Sequence, residues 1–425
     1  MLQKIIQIFK IKGLRNNILF VLALLIVFRL AATVPVPGVD AAKLSNLFES
    51  SQFFGLLNVF SGGAMDKLSI IMLGVGPYIT SSIIIQLLTM IFPQLKELYQ
   101  GAGEQGRQKF NQYTRLLTVP LAALQGYGFL ALLQKQGVIT HLGTFDLITN
   151  LIVVVAGTIF LMWLGELISE RKIGNGVSLL IFAGIITELP TQVKQVYLNA
   201  SLDPSLIPII IAFLVAMVLV IAGIVFINDS QRNIPVSYAK RIRGSRVYGG
   251  VSTYLPLKIN QAGVIPIIFA MSILLFPQML ATFMQAAGIP WVENLARSIN
   301  NLFQQGWIYG GFYFILVVLF TFFYTSVVFD TKQIAENVQK QGGFIPGIRP
   351  GSSTVEFLNK LTNRITLAGA VALGLIAVLP FIVQFFTGTT ALTIGGTALL
   401  IVVSVVLDTT NQIKAQLAMY AYERF

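Results

Sequence analysis

Cysteine is absent from this chain and histidine occurs once, at His141. Disulfides, thiol nucleophiles and thiolate metal sites are thereby excluded, and a lone imidazole leaves no material for a His-based metal site or a Ser-His-Asp triad. No catalytic residue, metal site or cofactor is expected. Charge is scarce as well. Only 11% of the 425 residues are charged and 55% are hydrophobic, whereas soluble domains carry roughly 25% charged residues. The nucleotide-binding motifs are also missing. Gly101-Ala-Gly-Glu-Gln-Gly106 fits G-x-G-x-x-G, but no strand precedes it, and Arg107-Gln108 stand where a P-loop needs Lys-Ser/Thr.

What is present is a series of long apolar runs, at 18–34, 69–92, 116–134, 148–168, 177–189, 207–227, 262–285, 309–329, 366–386 and 392–413. A helix of about 20 apolar residues spans the hydrocarbon core. Runs without alternation exclude a transmembrane barrel. The run 177–189 is short and borrows flanking residues. Polar segments between the runs alternate in charge. Those at 1–17, 93–115, 169–176, 228–261, 330–365 and 414–425 hold 23 of the 29 Lys and Arg. Basic loops stay in the cytosol, so the pattern predicts about ten spans with both termini cytosolic, in a cytoplasmic membrane. The net charge of +12 sits mainly in these loops, where it also suits anionic lipid. The basic N-terminus resembles a signal peptide, but its apolar run is long, holds Arg29 and lacks a convincing cleavage site; a retained first span is expected. Leu2, Ile5, Ile6 and Phe9 share a helical face, so residues 2–11 suit a surface helix.

Five spans precede the segment 190–206 and five follow it. Because five is odd, the second set enters from the opposite face, the arrangement of an inverted repeat. The expected organisation is an N-terminal half over 1–189, an external hinge at 190–206 and a C-terminal half over 207–425. Residues 55–68 are half apolar, too short to span and interrupted by Gly62-Gly63; they suit a re-entrant segment buried in protein, with an ordinary external loop as the alternative. The next span carries Gly74, Gly76, Pro77, Thr80, Ser81, Ser82 and Gln86. Polar groups in a span glue helices together or line a seam that opens. Ionisable residues in spans are few. Arg29 is placed to snorkel outward, Glu166 and Asp408 lie near inner ends, and no carboxylate sits at a midplane, where coupled transporters place one. The loops 228–261 and 330–365 are longer than topology requires.

Several motifs carry a family resemblance: Val34-Pro-Val-Pro-Gly-Val-Asp40, Phe60-Ser-Gly-Gly-Ala64, Gly76-Pro-Tyr-Ile-Thr-Ser-Ser-Ile-Ile-Ile-Gln-Leu-Leu88, Gly106-Arg-Gln-Lys109, Gln112-Tyr-Thr-Arg115, Phe160-Leu-Met-Trp-Leu-Gly-Glu166, Gly174-Asn-Gly176, Ser252-Thr-Tyr-Leu-Pro-Leu-Lys-Ile-Asn260, Ala262-Gly-Val-Ile-Pro266, Phe344-Ile-Pro-Gly-Ile-Arg-Pro-Gly351 and Gly395-Gly-Thr397. In this order the chain resembles the SecY family, channel subunits of the bacterial Sec protein translocase, over essentially its whole length. Tyr254 stands where the family usually has His, and the tail is short.

The resemblance implies an all-α membrane protein that conducts unfolded polypeptide without enzymatic activity. It implies a pore ring of Val75, Ile79, Ile83, Val177, Ile181, Ile268 and Ile401. A narrow aliphatic ring holds no cargo by charge or hydrogen bonds, and it dewets against ions. On their own, aliphatics at i, i+4 spacing read as ordinary packing. The resemblance further implies a plug formed by Gly55, Leu56, Leu57, Asn58, Val59, Phe60, Ser61, Gly62, Gly63, Ala64 and Met65 within 55–68. A lateral gate would part the second and third spans from the seventh and eighth, with Thr80, Gln86 and Asn260 as its polar residues. Docking of the SecA motor and the ribosome would fall to the two large loops, through Tyr238, Lys240, Arg241, Arg243, Arg246 and Arg349. Implied partners also include the small subunits SecE and SecG, signal sequences and nascent polypeptides. A secondary transporter of small solutes and a lipid-bound scaffold are the competing classes. The first is disfavoured by the missing midplane carboxylates, the second by the plug-like segment and the broken second span.

Overall fold

The computed structural model describes residues 10–36, 58, 61–65, 67–100, 103–135, 137, 139, 143–202, 204, 207–238, 241–243, 246–248, 252–286, 290–387 and 390–422. The elements are α1 (Lys12–Ala31), α2 (Gly76–Ile91), α3 (Pro93–Gln100), α4 (Gly103–Lys135), α5 (Thr144–Glu170), α6 (Gly176–Leu202), α7 (Ile207–Asp229), β1 (Gln231–Tyr238), β2 (Arg241–Arg243), β3 (Arg246–Tyr248), β4 (Ser252–Lys258), α8 (Ile265–Ala286), α9 (Pro290–Gln304), α10 (Gly306–Val328), α11 (Thr331–Lys340), β5 (Gly343–Phe344), α12 (Ser352–Thr387) and α13 (Thr390–Tyr422). The surface helix expected over 2–11 falls chiefly outside the described residues.

Each of the ten apolar runs lies largely on a helix, but not all as simple spans. Among the described residues, eight helices are long and apolar enough to cross a membrane. A ninth passes only as the pair α2–α3, bent by 117°. Pro93 causes this bend: the residue before a proline is pushed out of the helical region, and Phe92 is extended at φ −104°, ψ 107°. α8 contributes a shorter apolar stretch, Ile265–Gln278. The membrane layer is helical, as expected; the strands belong to the polar loops. The segment expected as a hinge is mostly helix, because α6 runs through Pro190 to Leu202.

The expected second span, 69–92, begins as irregular backbone: residues 70–75 form turns, and α2 starts only at Gly76. α2 has 16 residues, about 24 Å at 1.5 Å per residue, which is less than the roughly 30 Å core. The turns supply the missing depth. Non-helical backbone at that depth needs partners inside the protein. Here Val36 donates to the Leu68 carbonyl (2.8 Å) and Ile70 to that of Val34 (3.0 Å), while Leu68, Ile71 and Met72 are fully buried. Leu68 and Met72 pack with Met65 and Leu73 on Phe129, Leu130 and Leu133 of α4. The turns approach α5 at Gly157, where an added Cβ would lie 2.0 Å from the Ile70 carbonyl oxygen. Gly157→Ala is therefore expected to cost about 1–3 kcal/mol by overpacking. Thermal unfolding in detergent should show a lowered Tm; an unchanged Tm would mean that this backbone is free to shift.

The helices form two groups. α2, α4, α5 and α6 pack in sequence, with α1 against α5 and α6; α8, α10, α12, α13 and α7 form the second chain of neighbours. The groups meet on two sides, through α6 with α13 and through α8 with α2 and α4. Outside the membrane layer, the two long loops fold as one body. β1 pairs antiparallel with β4, from Gln231↔Lys258 to Ser237↔Ser252, and on its other edge with β5 through Ser237↔Phe344 and Tyr238↔Gly343. Ile234, Leu257, Ala335, Ile345, Leu358 and Leu361 make its separate core, and Asp330 caps α11 by accepting from the Lys332 and Gln333 amides.

Candidate functional site

The seven aliphatics expected at the ring arrive from four elements of both groups. Val75, Ile79 and Ile83 come from the start and face of α2, Val177 and Ile181 from α6, Ile268 from α8 and Ile401 from α13. Six are buried in one cluster, with exposures from 0% at Ile401 to 4% at Ile79 and Ile268; Val177 packs half-buried against it. None of the seven turns to the lipid face. Six of the seven side chains are thus almost wholly taken up by packing inside the protein.

Of the expected plug, Gly55, Leu56, Leu57, Val59 and Phe60 lie outside the described residues. Asn58 and Ser61–Met65 are buried. Gly62 and Gly63 take φ of 70° and 75°, a region open to glycine at little cost. The turn is closed by Ser61, whose hydroxyl donates to the Asn58 carbonyl (3.0 Å) and accepts from the Met65 amide (3.1 Å). Gly62 meets Gly184 of α6 so closely that a Cβ on Gly184 would lie 2.1 Å from the Gly62 Cα. Ala64 joins the same cluster as the ring residues.

Polar contacts from both flanking helices hold this segment. Arg29 of α1 donates through Nη1 to the Gly62 carbonyl (3.2 Å), and Asn58 donates through Nδ2 to Glu188 Oε1 of α6 (2.8 Å). Arg29, expected only to be placed to snorkel outward, thus also has a protein partner 33 residues on. Glu188 was not anticipated. An ionisable residue near a span is a functional candidate by default, and that was the signal available for both.

On α2, the helix that meets α8, Thr80 donates its hydroxyl to the Gly76 carbonyl (3.0 Å), and Gln86 donates to Ser82 Oγ (3.1 Å). Gln86 Oε1 is buried without a partner. Asn260 sits in the turn before α8, donating to Asn228 Oδ1 (2.7 Å) and the Gly263 carbonyl (3.1 Å) and accepting from the Gly263 amide (3.0 Å). Its carboxamide thus ties α7 to α8. The neighbouring Gln261, missed in the sequence, has both carboxamide atoms buried and unpartnered. At the membrane-flanking end of α4, Arg115 clasps Glu166 through Nε and Nη2, both at 2.7 Å.

Among the docking candidates, Arg241, Arg243 and Arg246 lie on the β2–β3 hairpin, with Arg243↔Arg246 opposed at its turn. Lys240 falls outside the described residues. Tyr238 ends β1, its hydroxyl 3.5 Å from Gln341 Oε1. Arg349 is exposed on a turn set by Gly347 (φ 81°) and Gly351 (φ 105°), and its carbonyl accepts from Thr354 Oγ1 at 3.0 Å.

Among the described residues, eight membrane-length helices and a bent ninth pair, packed as two groups that bury these aliphatics, define a multi-pass membrane protein. Comparison with known proteins makes the class specific. The SecY family model matches residues 69–410, and the chain is 43% identical over 442 residues to the protein translocase subunit SecY of Corynebacterium glutamicum, covering 99% of this chain and 98% of that one. It is 41% identical over 450 residues to the SecY subunit of Mycobacterium tuberculosis, with full coverage of both. The chain belongs to the SecY family, the protein-conducting channel of the Sec translocase. Solved structures give the same fold. "The structure of a protein conducting channel" superposes with a TM-score of 0.67 at 19% identity, covering 93% of this chain and 90% of that one. Sec61 in a canine ribosome-channel complex gives 0.63 at 18%, covering 93% and 90%.

Proposed function

We propose that Val75, Ile79, Ile83, Val177, Ile181, Ile268 and Ile401 form the gasket through which unfolded polypeptide threads, and that 55–68 is the plug that seals it at rest. The halves 1–189 and 207–425 act as two jaws joined over 190–206. The side where α8 meets α2 and α4 is the lateral gate, and α6 against α13 stays closed. The observation that supports this reading is that six of these residues, drawn from both halves, are buried in one large apolar cluster, with Val177 packed against it. An apolar segment reaching the seam partitions by solvent preference, since Leu, Ile, Phe and Val each favour the bilayer by about 0.3–0.6 kcal/mol. The orientation follows the charge pattern: both termini and the β1–β4–β5 body face the cytosol, in a cytoplasmic membrane. There the basic hairpin and Arg349 dock the motor ATPase and the ribosome, SecE and SecG pack on the helical flanks, and signal sequences enter the gate.

The test is a trapped secretory chain. Single cysteines at 79, 268 and 401 should crosslink to cargo held mid-transit, and cysteines at 86 and 261 to its signal sequence. A cargo that touches none of the three ring positions would refute the gasket; adducts at the ring but none at 86 or 261 would refute only the gate. Uptake of a small labelled solute by vesicles holding this chain alone would favour the transporter reading instead.

A further inference from the structure

α9 has an apolar arc wider than the protein covers. Val292, Ala296 and Phe303 (i, i+4, i+11) form one stripe, and Val292 and Ala296 are buried. This stripe packs α9 on α8 and α10; the Phe303 ring lies 6.5 Å from that of Tyr309 and 5.9 Å from that of Phe312. Trp291, Leu295 and Leu302, also at i, i+4, i+11, form the adjoining stripe, and all three are exposed, Trp291 at 69%. The remaining arc is polar, with Asn294, Ser298, Asn301 and the Glu293–Arg297 pair (4.0 Å).

Two further observations identify what covers the exposed stripe. First, α9 joins the ends of α8 and α10 that lie away from the β1–β4–β5 body, so it sits at the opposite boundary of the membrane layer. Second, apolar exposure resumes on the span that follows: Trp307 opens α10 at 71% exposure, and Phe312 and Ile315 after it are exposed. Two of the chain's three Trp therefore bracket α9, one at each end. Indole favours the membrane interface, where its ring is buried and its N–H stays wet. A helix with one polar face and Trp and Leu on the other lies in the interface plane. We propose that α9 is an interfacial anchor, its Trp291–Leu295–Leu302 stripe seated among phospholipid glycerol and upper acyl groups on the face opposite the β1–β4–β5 body. Because α9 also grips α8, the anchor fixes the height of that helix end; this consequence for gating rests on the gate assignment, whereas the lipid contact does not.

The experiment uses the full chain as Trp163→Phe/Trp307→Phe, which leaves Trp291 as the single fluorophore and α9 unaltered. The protein is reconstituted in phosphatidylcholine–phosphatidylglycerol vesicles containing lipids brominated either high or low on the acyl chain. Blue-shifted Trp291 emission, quenched strongly by the shallow bromines and weakly by the deep ones and by aqueous iodide, is the expected result. Adding Leu295→Lys should shift emission to the red and raise iodide quenching. Red emission quenched by iodide alone would overturn the proposal by placing the stripe in water. Emission insensitive to both quenchers would overturn it too, by showing the stripe covered by protein.

Discussion

Gly184→Val should turn the resting channel leaky. The side chain would enter the contact between α6 and the 58–65 turn, where even a Cβ would lie 2.1 Å from the Gly62 Cα. The facing atom is backbone, so it cannot rotate away, and the Gly62 turn is pinned on its other side by Phe28, whose ring lies 2.7 Å from a Gly62 Cβ position. α6 itself tolerates valine at small propensity cost. The strain therefore falls on the seated turn. Overpacking of about 1–3 kcal/mol converts to a shift of roughly 5–150-fold between seated and displaced states. Resting ion conductance in planar bilayers should rise by at least about tenfold, while export of a normal secretory protein continues. Gly184→Ala should give a smaller rise. Glu188→Gln weakens the bond from Asn58 without adding bulk and should also leak, less strongly. If Gly184→Val folds, exports normally and conducts ions no better than the parent, the turn does not seal the pore.

Arg349→Glu should abolish most ATP-driven export and leave the fold alone. The turn is fixed by Gly347, Gly351 and the Thr354 hydroxyl rather than by the guanidinium, which is exposed. Exposed substitutions of this kind usually change stability by less than about 0.5 kcal/mol. A docking face, in contrast, meets a reversed charge. Like charges brought together at an interface cost several kcal/mol, and each 1.4 kcal/mol is about tenfold in affinity. Motor-driven translocation of a preprotein into vesicles should fall at least about tenfold, with Tm and resting conductance unchanged. Normal translocation by the variant would remove Arg349 from the docking surface.

The two outcomes separate a seal within the membrane from a handle outside it, and they draw on differently legible features. The turn that carries Arg349 was readable. Gly-x-x-Pro-Gly punctuation around Arg349 specifies a turn whatever packs beneath it, because positive φ is a local demand. The burial of the aliphatics was half readable: i, i+4 spacing puts Val75 and Ile79 on one face of α2 and Val177 and Ile181 on one face of α6, but spacing cannot say that these faces, Ile268 and Ile401 pack in one apolar cluster. The polar contacts of the Asn58 and Ser61–Met65 segment were hidden. The partner of Arg29 is 33 residues away and that of Asn58 is 130 residues away at Glu188, a residue the sequence did not single out. The bonds of Asn260 were hidden too: its carboxamide ties the end of α7 to the turn before α8, and the neighbouring Gln261 carries an unpartnered amide.

By itself, the sequence determined whatever depends on solvent and on neighbours along the chain. Apolar runs had to become spans because lipid satisfies no backbone polar group, basic loops had to alternate with neutral ones because positive charge is retained on one side, and Pro93 had to break the helix after Phe92. The tertiary structure alone decided what depends on pairs distant in sequence. It joined 228–261 and 330–365 into one body by pairing β1 with both β4 and β5, replaced the first turns of the second span with irregular backbone seated on Gly157, and let Gly62 and Gly184 touch. Such contacts rest on pairing between segments distant in sequence or on the absence of a Cβ, and neither leaves a periodicity along the chain from which it could be read.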